Sequence, residues 1–420
     1  MEKWLSAVED FVENGDLGVY AENALNSILD TLRIPGMSYH EDYIEEIDNQ
    51  EDYIRVLAEI SEWDKKGQQI IISDSPERTI RELLPVKQPV FIVCSKRERA
   101  RTNPLPKDRQ VTFFHDFSPN PKYEEIMEGV KQYETSGAKM IVAIGGGSAI
   151  DVAKCIKLFQ NTSEADFLQH HFVTHPDRLI ALPTTAGTGS ESTAIAVIYY
   201  KGEKHSVAHA SILPDTAVLA AQLLQGLPAY HVKSSLADAF CQAVESFWSR
   251  GANAESRFYA SECIGLILRY RNAYLQQGKD ADSILLAANF SGKAIHISRT
   301  TAAHAMSYKL TTKYGISHGH AVAVCMAGCW RKLLDYAQYD KNLYERLRLL
   351  ACVMGYEDIV SAYQWYQMFL KELELPEVKI PERDYAELVS SVNVERLGNN
   401  PVPFTKDDLY DIYCNINSLS

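Results

Sequence analysis

One stretch, VAIGGGSAIDVAK at residues 142–154, limits what this chain can fold into more than any other. The apolar run Lys139 to Ile144 predicts a strand that leads directly into Gly145, Gly146, Gly147 and Ser148. An amphipathic pattern then predicts a helix from Ala149 to Phe159. Glycines let a backbone turn sharply and approach a ligand closely. A helix start offers unpaired N–H groups and the positive end of its dipole. Together these make a cradle for a diphosphate. The spacing is not the G-x-G-x-x-G fingerprint, and it lacks the Lys-Ser/Thr of a P-loop. Taken alone, it also fits a tight strand-to-helix turn with no ligand.

A second loop tips the balance. LIALPTTAGTGSEST, residues 179–193, is another apolar run leading into small hydroxyl residues. Thr184, Thr185, Thr188 and Ser190 can set hydroxyls around a phosphate or ribose. Two such loops, each after a strand, make a nucleotide site a better account than two polar connectors. Further short strands are predicted at Ile70–Ser73, Pro89–Cys94 and Val111–Phe114, with helices between. That alternation predicts a Rossmann-like parallel sheet covered on both faces, with ligands at the C-terminal ends of the strands. Residues 195–200 and 204–209, joined through Lys201-Gly202, read as a hairpin.

From about Leu227 the pattern is helical, with Gly315 and Gly319 breaking it between two late helices. The expected organisation is a helical extension at 1–66, an α/β dinucleotide-binding domain at 67–226 and a helical domain at 227–420. The extension reads as an added cap or an oligomer contact.

Composition excludes some partners. A formal net charge of −13 opposes binding to nucleic acid or anionic lipid. It also opposes a small anionic substrate unless its pocket holds local positive charge. No run of eighteen apolar residues predicts a membrane span. The start is acidic and without a secretion-signal core, and the eight cysteines form no C-x-x-C pair. Both point to reduced thiols in a cytoplasm.

In the helical part, Asp238, Gln242 and Glu245 fall at i, i+4 and i+7 and share one helix face. His304 and His318 follow on later segments.

GGGSAIDVAK and LPTTAGTGSE resemble the cofactor motifs of the iron-containing (group III) alcohol dehydrogenase family, which belongs with glycerol dehydrogenase and dehydroquinate synthase. The likeness continues through LPD at 213–215, LADAFCQAVE at 236–245, HAMSY at 304–308 and ISHG at 316–319. Residues 238–248 and 300–310 are most similar to the phosphonoacetaldehyde reductase branch. The resemblance implies NAD(P)H and a divalent metal, iron first, with zinc or manganese as alternatives. It carries metal ligation onto Asp238, Gln242, His304 and His318. Gln242 stands where the family usually has histidine, and an amide oxygen is the weaker donor. It is expected to be a weak fourth ligand or a water holder. Tyr308 stands where another histidine is frequent, as an aromatic wall or proton donor.

On the cofactor side the resemblance implies roles for Ser95, Asp116, Gly145, Gly146, Gly147, Ser148, Asp151, Thr184, Thr185, Thr188 and Ser190. Ser95-Lys-Arg97 replaces the acidic residue that favours NAD, which leans toward a 2′-phosphate. For an anionic aldehyde, Lys293 is the expected cation, with Arg299, Lys309 and His209 behind it. The implied reaction reduces a small, anionic aldehyde, phosphonoacetaldehyde first, in a homodimer or larger homo-oligomer. Sulfoacetaldehyde, a simple alkyl aldehyde, a dehydroquinate-synthase-like lyase and a metal-free binding protein are the alternatives.

Overall fold

A computed structural model describes residues 68–84, 88–101 and 110–417. The extension at 1–66 lies outside the described residues. Among the described residues eight strands occur in chain order: β1 Gln69–Ile72, β2 Val90–Cys94, β3 Val111–Phe114, β4 Met140–Gly145, β5 Arg178–Pro183, β6 Ile195–Tyr200, β7 Glu203–Ala208 and β8 Thr216–Leu219. Six of them form a parallel sheet in the order β1-β8-β5-β4-β2-β3. Every residue of β2 and β4 is buried, which explains their unbroken apolar runs. The pair β6–β7 is the expected antiparallel hairpin, with Lys201 and Gly202 at its turn.

Helices α1 Pro76–Leu83, α2 Lys96–Arg101, α3 Tyr123–Ser136, α4 Gly147–Leu158 and α5 Glu164–Leu168 fill the connections. One apolar cluster sets Ile126, Val130, Ile150 and Ile156 against Phe91, Ile141 and Leu179. Another sets Ile80 and Leu84 against Ile92, Ile144, Ile180 and Val218. The strand β8 was not expected. Its sequence, followed by Ala220-Ala-Gln-Leu-Leu224, suits a helix as well, and pairing with both β1 and β5 decides it.

The helical part comprises α6 Ala229–Trp248, α7 Ala254–Gln277, α8 Ala281–Ser298, α9 Ala302–Tyr314, α10 His318–Ala337, α11 Lys341–Val353, α12 Ile359–Glu372, α13 Tyr385–Ser390, α14 Val394–Gly398 and α15 Lys406–Ile416. Its core holds Phe240, Trp248, Trp330 and Tyr366, all fully buried. Two close approaches shape the cleft. Gly189, at φ +58°, lies so near Gly292 of α8 that a Cβ would sit 2.5 Å from the Gly292 Cα. Gly319 packs on α6, where a Cβ would strike the Ser234 carbonyl. Gly319 therefore does not break a helix, as the sequence pattern had it. It lies in the first turn of α10 and lets that turn press against α6 beside Asp238. Gly315, left-handed at φ +68°, does end α9.

Candidate active site

Asp238 projects from α6, His304 from the first turn of α9, and His318 from the first residue of α10. Their donor atoms all lie within 4.8 Å of one another. The Nε2 of His304 is 3.5 Å from Oδ1 of Asp238, and the two imidazole rings are 5.3 Å apart. Both that Nε2 and that Oδ1 are buried with no hydrogen-bond partner. Buried polar atoms are rarely left unsatisfied, and a divalent cation would satisfy this pair. The chemistry of the donor set, one carboxylate and two imidazoles, suits a catalytic metal with an open position.

Glu245 explains the ring orientation. Its Oε2 bonds the Nδ1 of His304. Its Oε1 accepts from the Thr301 N–H at 3.1 Å, the Thr301 hydroxyl at 2.7 Å and the Ala303 N–H at 2.9 Å. One buried carboxylate thus caps α9 and fixes the tautomer that leaves Nε2 free. Burial works against a charged His304, but Glu245 and Asp238 raise its pKa to about 9, so a metal ion would displace a proton from Nε2 on binding. Burial, helped by Lys204 and His304, pushes His318 down to about 3 against the pull of Asp238, which leaves its ring neutral. The sequence placed Glu245 on the correct face without giving it a role. Its i+7 spacing from Asp238 was the available signal.

The two loops face each other across a cleft of about 670 Å3 at the C-terminal ends of β2, β4 and β5. Ser95, Gly145, Gly146, Gly147, Ser148, Thr184, Thr185 and Thr188 all line it. None of the three consecutive glycines has positive φ. Their value here is room: a Cβ on Gly146 would stand 3.3 Å from Thr185, and one on Gly147 would stand 3.0 Å from Thr188.

A second cavity, of about 220 Å3, shares Asp238, His318, Thr188 and Ser148 with the cleft. It is lined also by His304, Gln242, Ile295, Thr300, Tyr308, Lys204 and Arg396. Tyr308 lies 5.9 Å from the His318 ring at 23°, and the Lys204 ammonium sits 3.1 Å over its centroid. Burial raises the Tyr308 phenol to about 12, so it keeps its proton at neutral pH.

Two family models cover most of the chain. Residues 68–221 match the iron-containing alcohol dehydrogenase model, and 232–416 match the C-terminal model of the same family. The chain belongs to the iron-containing alcohol dehydrogenase family. Its members are NAD(P)-linked oxidoreductases with a divalent metal. The chain is 32% identical to the phosphonoacetaldehyde reductase of Streptomyces viridochromogenes, over 53% of this chain and 58% of that protein. It is 27% identical to the 4-hydroxybutyrate dehydrogenase of Clostridium kluyveri, over 70% of this chain and 82% of that one. The fold matches the sulfoacetaldehyde reductase of Bifidobacterium kashiwanohense, solved with NAD+, at a TM-score of 0.76 and 24% identity, covering 91% of this chain and 100% of that one.

Several expected site residues of this family member lie elsewhere or do other work. Gln242 has both ends of its amide engaged: Oε1 accepts from Ser291 at 3.0 Å, and Nε2 donates to the Thr188 carbonyl at 3.4 Å. Asp238, His304 and His318 are the residues whose donor atoms come together. Asp151 and Ser190 line the smaller cavity, but their polar atoms hold the second loop. Asp151 accepts from the Ser190 hydroxyl at 2.6 Å and the Val197 N–H at 3.0 Å. Fully buried Lys154, which the sequence reading passed over, donates to the carbonyls of Ser190 and Ile195 at 2.6 and 2.7 Å. Asp116 does not line the cleft; it is exposed and pairs with Lys96 at 3.4 Å. Of Ser95-Lys-Arg97, Ser95 and Arg97 line the cleft, while Lys96 turns to Asp116.

Lys293 is the clearest correction. Its ammonium lies 5.0 Å over the Tyr259 ring of α7, and it does not line the cavity. Ile295 of the same helix does, and two residues along a helix turn a side chain by roughly 200°. The other expected cations are also elsewhere. Lys309 pairs with Glu387 at 2.9 Å, His209 bonds Ser211, and Arg299 ends α8 outside the cavity.

Proposed function

We propose that this chain reduces a small anionic aldehyde to its alcohol, consuming one NAD(P)H and one proton per turnover. The favoured substrate is phosphonoacetaldehyde, giving 2-hydroxyethylphosphonate, with sulfoacetaldehyde as the second reading. One observation carries it: the unsatisfied Asp238–His304 pair lines a small cavity that shares Asp238, His318, Thr188 and Ser148 with the nucleotide cleft. The phosphonoacetaldehyde reductase likeness supports the choice of substrate. In this reading residues 67–226 bind the nucleotide, 227–420 hold the metal, and Asp238, His304 and His318 are the ligands.

Bound there, the cation supplies Lewis-acid polarisation of a carbonyl and the nicotinamide supplies hydride. The chain's own residues do the positioning. Glu245 holds His304 in its ligating tautomer, and the glycine loop keeps the cleft clear for a diphosphate. Ile295 and Tyr308 wall the cavity and limit water, and the protonated Tyr308 phenol is a candidate proton donor. Iron is the favoured metal, with zinc or manganese as alternatives. All eight cysteines are free, in keeping with a cytoplasmic setting, and no helix among the described residues is long and apolar enough to cross a membrane.

The test is NAD(P)H oxidation by metal-loaded protein across phosphonate, sulfonate and uncharged short aldehydes. The anionic aldehydes should give the higher kcat/KM. No cofactor oxidation with any aldehyde, under iron, zinc or manganese, would sink the reading.

A further inference from the structure

Lys204 and Arg396 stand 192 positions apart in number yet line one cavity with the metal-ligand triad. Lys204 comes from β7 and Arg396 from α14. Three other lysines meet carboxylates: Lys201 meets Glu164, Lys313 meets Asp384, and Lys332 meets Asp408. Neither Lys204 nor Arg396 has an ion pair among the described residues. The acidic groups that act on Lys204 are Asp151 and Asp238. Asp151 is already bonded to Ser190 and Val197, and Asp238 belongs to the triad. Lys204 rests instead against the Tyr308 ring, which contacts His318 in turn.

Two cations lining one small cavity repel each other, and Arg396 does weaken the charged form of Lys204. An anion between them removes that repulsion and gains charge-assisted hydrogen bonds from both. The remainder of the chain works against anions, at −13 overall. The cavity is also small, about 220 Å3, and Tyr308 contacts both the cation side and His318.

We propose that Lys204 and Arg396 form the anion subsite of this enzyme, holding the phosphonate or sulfonate of a two-carbon aldehyde while its carbonyl faces Asp238, His304 and His318. This assignment rests on the aldehyde-reductase reading above. The two cations would set specificity by charge, and the short path past Tyr308 would set it by length.

The experiment compares kcat/KM for phosphonoacetaldehyde, sulfoacetaldehyde, 4-oxobutanoate and propionaldehyde in the wild type, Lys204→Met and Arg396→Gln. Each variant should lower the ratio of two-carbon anionic to uncharged substrate by at least about tenfold. The double variant should lose less than the product of the two, because both cations serve one anion. Calorimetry with 2-hydroxyethylphosphonate should show binding to wild-type holoenzyme and none to the double variant. Arg396→Gln covers the case in which Lys204→Met does not fold. A preserved ratio in the folded variants, or a preference for 4-oxobutanoate, would overturn the subsite. If the wild type binds the phosphonate but oxidises no cofactor, the reductase reading fails while the subsite stands.

Discussion

The nucleotide cleft and the small cavity beside it are built in opposite ways. The cleft takes its glycine and hydroxyl cradle from two short runs, 145–148 and 184–188, each at the end of a strand. The cavity draws its metal-ligand triad and its two cations from α6, α9, α10, β7 and α14. A site made by one strand-to-helix turn is legible wherever that turn is legible. A site made by the crossing of distant elements is not, because each contributing residue looks ordinary in its own neighbourhood. This is why the glycine loop is found at its expected place while the expected cation, Lys293, points at Tyr259.

The largest expected effect tests the cavity. His304→Ala and His318→Ala should each abolish metal retention, read by elemental analysis, and aldehyde reduction with it. Full activity in metal-free histidine variants would break the comparison, since the cavity would then have no chemical centre.

Glu245→Gln comes next. The amide cannot hold the His304 Nδ1–H as a carboxylate does, and about 10–100-fold of metal affinity should go. Metal titration of the folded variant decides it. Wild-type affinity would confine Glu245 to capping α9.

Gly146→Val then tests the cleft alone. Its side chain would crowd Thr185 and the diphosphate path. Nicotinamide binding, followed by fluorescence titration, should weaken by at least about tenfold while metal affinity holds. A joint loss of both would show that the two regions are not separable.

A pH profile sharpens the electrostatic side. Burial and Arg396 lower Lys204 to about 7, against Asp151 and Asp238, so it is charged below that pH and neutral above it. With sulfoacetaldehyde, whose sulfonate charge is fixed over this range, kcat/KM should fall as pH rises through about 7. The Arg396 guanidinium still lines the cavity, so the fall should reach a plateau. Propionaldehyde should lack this step, and so should Lys204→Met. A step that persists in Lys204→Met belongs to another group.

The smallest effect is expected at Lys293→Met. Losing its contact with Tyr259 should cost roughly 0.5–1 kcal/mol of stability by thermal melting. The ratio of anionic to uncharged substrate should not move. A tenfold change there would restore Lys293 to the substrate site.

Some elements were legible because their cause is local. The strands β2, β4 and β5 carry apolar runs that only a doubly covered sheet can bury. The histidines and Asp238 stood in register with a family pattern, and the structure brings them together. The strand β8 failed the same test, since the four residues TAVL carry no periodicity that separates strand from helix. Asp151 and Ser190 lay in the correct motifs but bond each other, a pairing that depends on how the second loop folds over α4.

By itself, the sequence determined the strand-to-glycine-loop-to-helix turns, the apolar strands and the family, because each depends on neighbours a few residues apart. Tertiary structure alone decided which cations face the metal-ligand triad and which carboxylate orients His304. Those depend on Gly319 letting α10 press onto α6, and on β7 and α14 meeting at one cavity. Electrostatic attraction and repulsion act through space, and no spacing along the chain records which charges will meet.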